Sequence, residues 1–461
     1  MARTAKAPRR PSVRLSKAQK EAVLAQVKGI NLSEFAGLIE EHIPYRKGGS
    51  EVGDLEPASV IPLAASDEAK AERQKAIEIA EEALRAGKVA ALVVAGGTGT
   101  RLKYPHPKGM FETSPIEHKS LFQLHAEKIR AASRRYCKPI PWYVMTSTET
   151  DAETRACFEK QNYFGICPNA VCIFQQKSMP VVDAESGNVL MAGKGQVAMS
   201  PNGHGGTIEA LDESGALADM AKRGIRTISY FQVDNPLIKI IDPVFLGYHL
   251  VHKSDFSSKA LPKRNAEEGL GVFCTDGKTL QVVEYSDLPP RYKYAQDQHG
   301  NLIFSAGSIA IHAIQVSFVK RLCKRKTRLP WHAAHKAVKF MDARGRRIKP
   351  SEPNAVKFEK FIFDVLPHAR RPLVVMVERW DEFAPIKRKC GEDSPETARQ
   401  AQVNLFGRWL EEAGVSVPRD ARGNVFGAIE ISPFYARDAE ELRRRLPKDT
   451  CLTVELNLQQ P

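Results

Sequence analysis

The chain is predicted to be an α/β protein: a largely parallel central sheet with helices on its faces, a helical N-terminal region before it and a small C-terminal domain after it. Three observations predict this. Short apolar runs rich in Val and Ile recur between residues 89 and 312, as expected of strands buried on both faces. Stretches with apolar residues near helical spacing separate them, an alternation that implies β-α-β crossovers within one sheet. The length of 461 residues is long for one core and fits two or three domains, with expected boundaries 1–87, 88–385 and 386–461.

In chain order, "SKAQKEAVLAQV" opens with a helix N-cap at Ser16. "SDEAKAERQKAIEIAEEALRAG" reads as a helix closed by Gly87, a C-cap type. At Val89 the period changes, and "VAALVVA" is the first buried strand. Further predicted strands are "WYVMTS" (142–147), "VCIFQQ" (171–176), "TISYFQVD" (227–234), "GVFC" (271–274), "LQVVEYS" (280–286) and "LIFSAGSIAIH" (302–312). Helices are predicted over 119–135, 150–161 and 208–223. Beyond about residue 385 the pattern is patchy apart from one helix, "SPETARQAQVNLFGRWLEEAG" (394–414).

Composition narrows the function. Hydrophobic residues make up 43% and charged residues 26% of the chain, and no apolar run approaches the roughly 18 to 20 residues of a membrane span. The N-terminus is basic but lacks the apolar core of a secretory signal. Eight cysteines are scattered without a C-x-x-C pair, which fits reduced thiols and a cytoplasmic location. The net charge of +14 raises nucleic acid as a partner. However, the excess sits in the N-terminal tail and at 320–328 and 344–349 without interleaved aromatics that would stack on bases. Solvated surface is the better reading, and the same charge would attract a small polyanion.

The stretch "VVAGGTGTRLKYPHPKGMFE" (93–112) carries the chemistry. Gly96, Gly97 and Gly99 follow the first buried strand, at the edge where open α/β sheets bind ligands. Glycine lets backbone N–H groups approach an anion closely. No G-K-[ST] closes the turn, so it is not a P-loop, and Leu102 stands where a dinucleotide fold needs its last glycine. The glycines fit either a phosphate cradle or a tight turn with surface cations. Arg101 and Lys108 favour the cradle, since a guanidinium grips two phosphate oxygens and an ammonium acts as a point charge on another.

"AGGTGTRL", "HPKGMF" and "HKSLFQLHAEKI" resemble the signature of eukaryotic-type UDP-N-acetylhexosamine pyrophosphorylases and their UDP-sugar relatives. The resemblance continues in order through "YFG", "FQQ", "PNGHGG", "VDNP", "VVEYS", "AGSIA", "KFEKFIFD" and "DEFAPIK", roughly residues 85 to 400. It implies a Rossmann-like, GT-A-like nucleotidyltransferase domain. It also implies that UTP and a sugar 1-phosphate react to give a UDP-sugar and pyrophosphate, with Mg²⁺ or Mn²⁺ as cofactor.

The same resemblance implies roles for single residues. The backbone at Ala95, Gly96 and Gly97, with Gln176 and Gly203, would hold the nucleotide. Arg101 and Lys108 would neutralise the leaving pyrophosphate, while Lys357 and Lys387 would hold the sugar 1-phosphate and the transferring phosphate. Asp234 would bind the metal, as suits a hard cation held by one carboxylate and substrate phosphates. His204, Glu284, Ser305, Ser308, Phe361 and Phe363 would line the sugar pocket. His249 and His312 are read as structural.

Two departures bear on the sugar. His204 stands where the N-acetylhexosamine enzymes usually carry asparagine, and residues 305–308 read S-A-G-S where they carry N-A-G-N. A G-H-G turn is typical of UDP-glucose and broad-range enzymes. The expected reaction uses N-acetylglucosamine 1-phosphate, with glucose or galactose 1-phosphate as alternatives. A catalytically silent nucleotide-sugar or nucleic-acid regulator is the non-enzyme rival, and a Rossmann dehydrogenase the third.

Overall fold

The computed structural model describes residues 15–44, 53–62, 66–447 and 455–459. The basic tail before residue 15 lies outside them. The chain forms two compact units: Met1–Gly48, Lys177–Gly206 and Arg328–Ile362 make the smaller, and Gly49–Gln176, Thr207–Thr327 and Phe363–Pro461 the larger.

The larger unit is a mixed α/β layer structure. Its sheet runs Glu56–Pro57, Val272–Thr275, Ala306–Gln315, Thr227–Gln232, Val89–Val94, Trp142–Thr146, Val171–Gln175. The last four strands pair in parallel. Phe256–Pro262 adds antiparallel to Ala306–Gln315 and parallel to Leu373–Met376. Every residue of Val89–Val94 is buried, which is why its sequence is apolar at consecutive rather than alternate positions. Parallel pairing puts the carboxyl ends of four strands on one edge, so the segments after Val94, Thr146, Gln175 and Gln232 emerge side by side.

Helices cover this sheet as amphipathic elements should. Leu121–Arg135, capped by Ser120, buries Leu121, Phe122 and Ile129. The Phe122 ring meets Trp142 and Phe158 edge-on or tilted at 6.3 and 5.1 Å between centroids. Asp67–Arg85 starts at the Ser66 cap, and Gly87 follows it at φ +65°, a conformation that favours glycine. It packs on Pro243–Val251 so closely that a Cβ on Gly247 would sit 2.1 Å from the Ala76 carbonyl oxygen.

In the smaller unit, Lys17–Gln26 begins with a Ser16–Gln19 capping box, and Leu32–His42 follows the Asn31 cap. His332–Lys336, Ala355–Glu359 and Val182–Asp183 form an antiparallel sheet. Phe35 and Leu38 pack with Val182, Val356 and Phe358 in its core.

These units differ from the boundaries expected at 87 and 385. The N-terminal region is not one helical module: its first two helices belong to the smaller unit, while Glu56–Pro57 and Asp67–Arg85 belong to the larger, paired with strand or packed on helix. Residues beyond 385 also belong to the larger unit. Pro395–Glu412 and the parallel pair Ala428–Ile431 and Glu455–Leu458 share a core with Leu237, and Glu430 accepts hydrogen bonds from the Ile116 and Glu117 amides. The helix expected over 208–223 is two, Thr207–Glu213 and Ala216–Lys222, broken at Gly215 with φ +80°. The strand expected over 302–312 runs from Ala306 to Gln315. No helix among the described residues is long and apolar enough to cross a membrane.

Gly247→Ala is expected to force the two helices apart and cost about 1–3 kcal/mol, read as a lower urea midpoint. An unchanged midpoint would mean the helices are not held this close.

Candidate active site

The glycine turn closes on itself. Thr98 bridges Pro107, the Gly99 amide donates to the His106 carbonyl at 3.0 Å, and the Lys108 amide donates to the Gly97 carbonyl at 3.1 Å. Residues 97–108 thus form an excursion that returns Lys108 to the strand end it left. Arg101 lies in a short 3-10 turn within it, exposed and without an ion pair among the described residues. Each glycine has its own reason. A Cβ on Gly96 would lie 2.6 Å from Gln176 Nε2, and one on Gly99 would lie 2.7 Å from the Tyr104 carbonyl. Gly97 is exposed and opens onto free space. The Ala95 amide, by contrast, is spent on the Met145 carbonyl at 2.8 Å as part of the sheet.

Gln176 and Gln175 are told apart by the structure. Gln175 is exposed, whereas Gln176 is 5% exposed and its Oε1 has no hydrogen-bond partner. A buried amide left half-satisfied beside a bare glycine is the mark of a ligand edge.

Asp234 follows the neighbouring strand. Its Oδ2 accepts from Lys108 Nζ at 3.1 Å, its backbone carbonyl accepts from the Ile386 amide at 2.9 Å, and Lys387 comes next in the chain. Burial works to raise the Asp234 pKa, but the cations of Lys108 and Lys387 outweigh it and hold the carboxyl below its ordinary value. The described residues include no cluster of three His, Cys, Asp or Glu ligands. One ionised carboxylate, with Oδ1 free of side-chain bonds, fits a hard cation that takes its remaining ligands from water and phosphate oxygens.

Behind Asp234 stands a buried network that the sequence reading missed. The Asn235 amide donates to the Glu382 carbonyl at 2.6 Å, and its oxygen accepts from the Leu237 and Ala384 amides. The Lys259 side chain is 0% exposed and donates to Asp242 Oδ2 and Glu382 Oε1, each at 2.6 Å. Lys128 Nζ donates to the Pro236 and Ile238 carbonyls at 2.5 and 2.9 Å, and burial pushes its pKa down to about 7. The trace in sequence is a lysine inside the short stretch "FSSKALP", every residue of which but the last is buried.

The predicted sugar residues divide. Gly271 links two of them: its carbonyl accepts from the Ser308 amide at 2.8 Å, and a Cβ on it would sit 3.1 Å from Glu284 Oε1. Ser305 lines a cavity with Lys263, whose amide donates to the Ser305 carbonyl at 2.9 Å. Phe363 is buried in the larger unit. Gly203, His204, Lys357 and Phe361 belong to the smaller unit. There Gly203 has φ +82°, and a Cβ on it would strike the Lys360 carbonyl at 2.4 Å. His204 Nδ1 accepts from the Ile362 amide at 3.1 Å, which leaves the proton on Nε2. The Phe361 ring stacks on both His204 and His332, at 5.3 and 4.4 Å between centroids. Lys357 pairs with Ala334 on the adjacent strand. His249 and His312 are fully buried and hydrogen-bonded to Ser257 and Ser258, in keeping with a structural role.

A backbone turn, two cations and a carboxylate at the carboxyl edge of an α/β sheet suit a nucleotidyltransferase. The family described as UTP–glucose-1-phosphate uridylyltransferase matches residues 37–393. The chain is 37% identical to the UDP-N-acetylglucosamine pyrophosphorylase of Saccharomyces cerevisiae, over 80% of this chain and 79% of that protein. It is 37% identical to UDP-N-acetylhexosamine pyrophosphorylase-like protein 1 of Homo sapiens, over 77% and 74%. The solved structure of the uridine diphosphate N-acetylglucosamine pyrophosphorylase from Trypanosoma brucei, in complex with an inhibitor, superposes with a TM-score of 0.81 at 26% identity, covering 96% and 94%. The chain belongs to the UTP–glucose-1-phosphate uridylyltransferase family, and is an enzyme of the uridylyl-transferring kind.

Two outcomes are expected. Lys259→Met strands two buried carboxylates and should cost about 3–5 kcal/mol in urea unfolding; a loss below about 1 kcal/mol would show the network to be wet. Burial, with His332 nearby, pushes His204 down to about 4, and burial alone leads in lowering His125 and His249 to about 3. All three stay neutral where the unfolded chain protonates. Their stability contribution is therefore full above the ordinary value of 6.5 and falls as pH drops toward 4. Urea midpoints should decline from pH 7 to pH 5, and ring-proton NMR shifts should show these imidazoles still neutral at pH 5.

Proposed function

We propose that the chain transfers a uridylyl group from UTP to N-acetylglucosamine 1-phosphate, forming UDP-N-acetylglucosamine and pyrophosphate, within a Rossmann-like, GT-A-like catalytic fold in the cytoplasm. The observation that carries this reading is Asp234 beside Lys108 and Lys387 at the end of the core strand, opposite a glycine turn bearing Arg101. The names of the relatives at 37% identity support the sugar.

An oxygen of the sugar 1-phosphate attacks the α-phosphorus of UTP, and the bond to the bridging oxygen of pyrophosphate breaks. Both reactants are anions, so the work of the protein is to cancel repulsion and hold them in line. Arg101 and Lys108 take up charge on the departing pyrophosphate. Lys387 neutralises the transferring phosphate, and Lys357 serves the sugar 1-phosphate. The Gln176 amide reads the uracil edge against Gly96, and in the smaller unit Gly203 is the base contact that the family resemblance implies. Asp234 would hold Mg²⁺ or Mn²⁺, which when bound supplies positive charge to the phosphate oxygens. Glu284 accepts from sugar hydroxyls beside Ser308, and in the smaller unit His204 and Phe361 are the sugar residues that the family resemblance implies.

A second reading, glucose 1-phosphate, is favoured by His204 and Ser308, which offer less hydrogen-bonding reach than the asparagines they replace.

Pyrophosphate release from UTP, measured with each sugar 1-phosphate, decides between them. The expected order is N-acetylglucosamine first; a kcat/KM higher for glucose reverses the assignment, and no release with any sugar rejects the class. Arg101→Ala and Asp234→Asn are each expected to lower kcat/KM by about 10²- to 10³-fold with nearly unchanged melting. Wild-type rates would remove the residue from its role.

A further inference from the structure

Within the larger unit a cavity of about 740 Å³ opens beside the Ser305 end of its strand, lined in part by Lys263, Arg264, Asn265, Tyr294, Gln296 and Asn301. Its charges do not balance internally. Glu267 is taken by Lys293 at 2.7 Å and by the Tyr294 hydroxyl at 2.6 Å. Glu268 is taken by Arg379 at 2.8 Å. Lys263 is only 8% exposed, yet among the described residues its ammonium finds a single neutral acceptor, the Ala266 carbonyl at 3.1 Å. Two of its three donors are left over. Burial, reinforced by Lys293 and opposed by Glu268, lowers its pKa, as expected of a cation short of counter-charge. Arg264 beside it has only loose partners, Glu268 at 4.0 Å and Glu392 at 3.5 Å.

We propose that this cavity is a binding site for a phosphorylated sugar or polyol, separate from the glycine-turn site, with Lys263 and Arg264 on the phosphate. An ammonium on a largely buried stem, with spare donors at the cavity wall beside a loosely held guanidinium, calls for an anion. The Gln296 amide matches hydroxyls, as does the amide oxygen of Asn301, whose NH2 group donates to Asp297, and the half-exposed Tyr294 ring, with the Lys293 ammonium 5.3 Å from its centroid, offers its other face to a sugar ring. The site is coupled to the sugar-facing strand. A Cβ on Gly307 would lie 3.3 Å from Lys263 Cγ, so the lysine stem rests on the residue preceding Ser308. Occupancy that draws the ammonium toward a phosphate therefore pulls on the strand carrying Ser308.

The test is isothermal titration of the full chain with glucose 6-phosphate, which has no 1-phosphate and cannot accept a uridylyl group through it. Inorganic phosphate and glucose are titrated in parallel. Wild type should bind glucose 6-phosphate more tightly than phosphate, and phosphate more tightly than glucose. The Arg101→Ala, Lys108→Ala double variant, which lacks the other cation cluster, should bind it equally well. Lys263→Met should weaken binding about tenfold or more, with Lys263→Arg restoring part of it. Arg264→Ala, at an exposed position that folding tolerates, should weaken it severalfold. No binding to wild type at millimolar ligand, loss of binding in the double variant, or undiminished binding in both Lys263→Met and Arg264→Ala overturns the proposal. The assay does not use uridylyl transfer, so its failure leaves the proposed reaction standing, and failure of the reaction leaves the cavity standing.

Discussion

A carboxylate held ionised between two lysines, Asp234 between Lys108 and Lys387, is the interaction on which the rest of the catalytic edge depends. The three residues come from distant parts of the chain and reach one another by different routes. Lys108 returns through the closed excursion after the first core strand, and Asp234 arrives on the parallel neighbour of that strand. Lys387 is carried in by the Ile386 amide, which donates to the carbonyl of Asp234 itself. Each is tied by a backbone bond to the segment that delivers it: Lys108 to Gly97, Asp234 to Ile386 and Lys387 to Asp393. Before any ligand arrives, the lysines are already partly neutralised and oriented, so the cost of gathering like charges is met by folding.

A buried network behind this edge anchors the turn that carries Asp234. Loops that carry chemistry are mobile unless something over-determines them. Here Asn235 bonds on three sides, Lys128 grips two carbonyls downstream, and Lys259 pins Asp242 to Glu382, whose own carbonyl receives the Asn235 amide. Charges this deep add little net stability against an apolar core of equal volume. What they supply is directional constraint: an ammonium between two carboxylates fixes angles, whereas packed leucines would only fix distances.

Much of this was legible in the sequence, and the unread parts share a cause. Val89–Val94, Trp142–Thr146 and Thr227–Gln232 announced themselves because strands buried on both faces are apolar without interruption. Ser16, Ser66 and Ser394 announced helix starts because a cap is a local bond. Phe256–Pro262 escaped notice because it buries two serines and Lys259, whose partners lie 17 and 123 residues away in sequence. The smaller unit escaped for the same reason, since it is assembled from three separated segments. At the site, Arg101, Lys108 and Asp234 were read from motif and strand-end position. The buried half of the Gln175–Gln176 pair could not be separated from the exposed half until the strand was seen to end at Gln175.

The two serines of "SAGS" carry the last step of the argument. Three residues apart, they lie in different backbone: Ser308 is on the strand Ala306–Gln315, whereas Ser305 precedes it. The structure parts them accordingly, Ser308 to the Gly271 and Glu284 side and Ser305 to the cavity of Lys263. A single pocket with two hydroxyls was the natural reading of the motif, but the geometry gives each serine a different neighbourhood. Ser308 and Glu284 both lie against Gly271. A four-residue motif can therefore straddle the start of a strand, so that its first serine meets the surroundings of the preceding loop and its last those of the sheet.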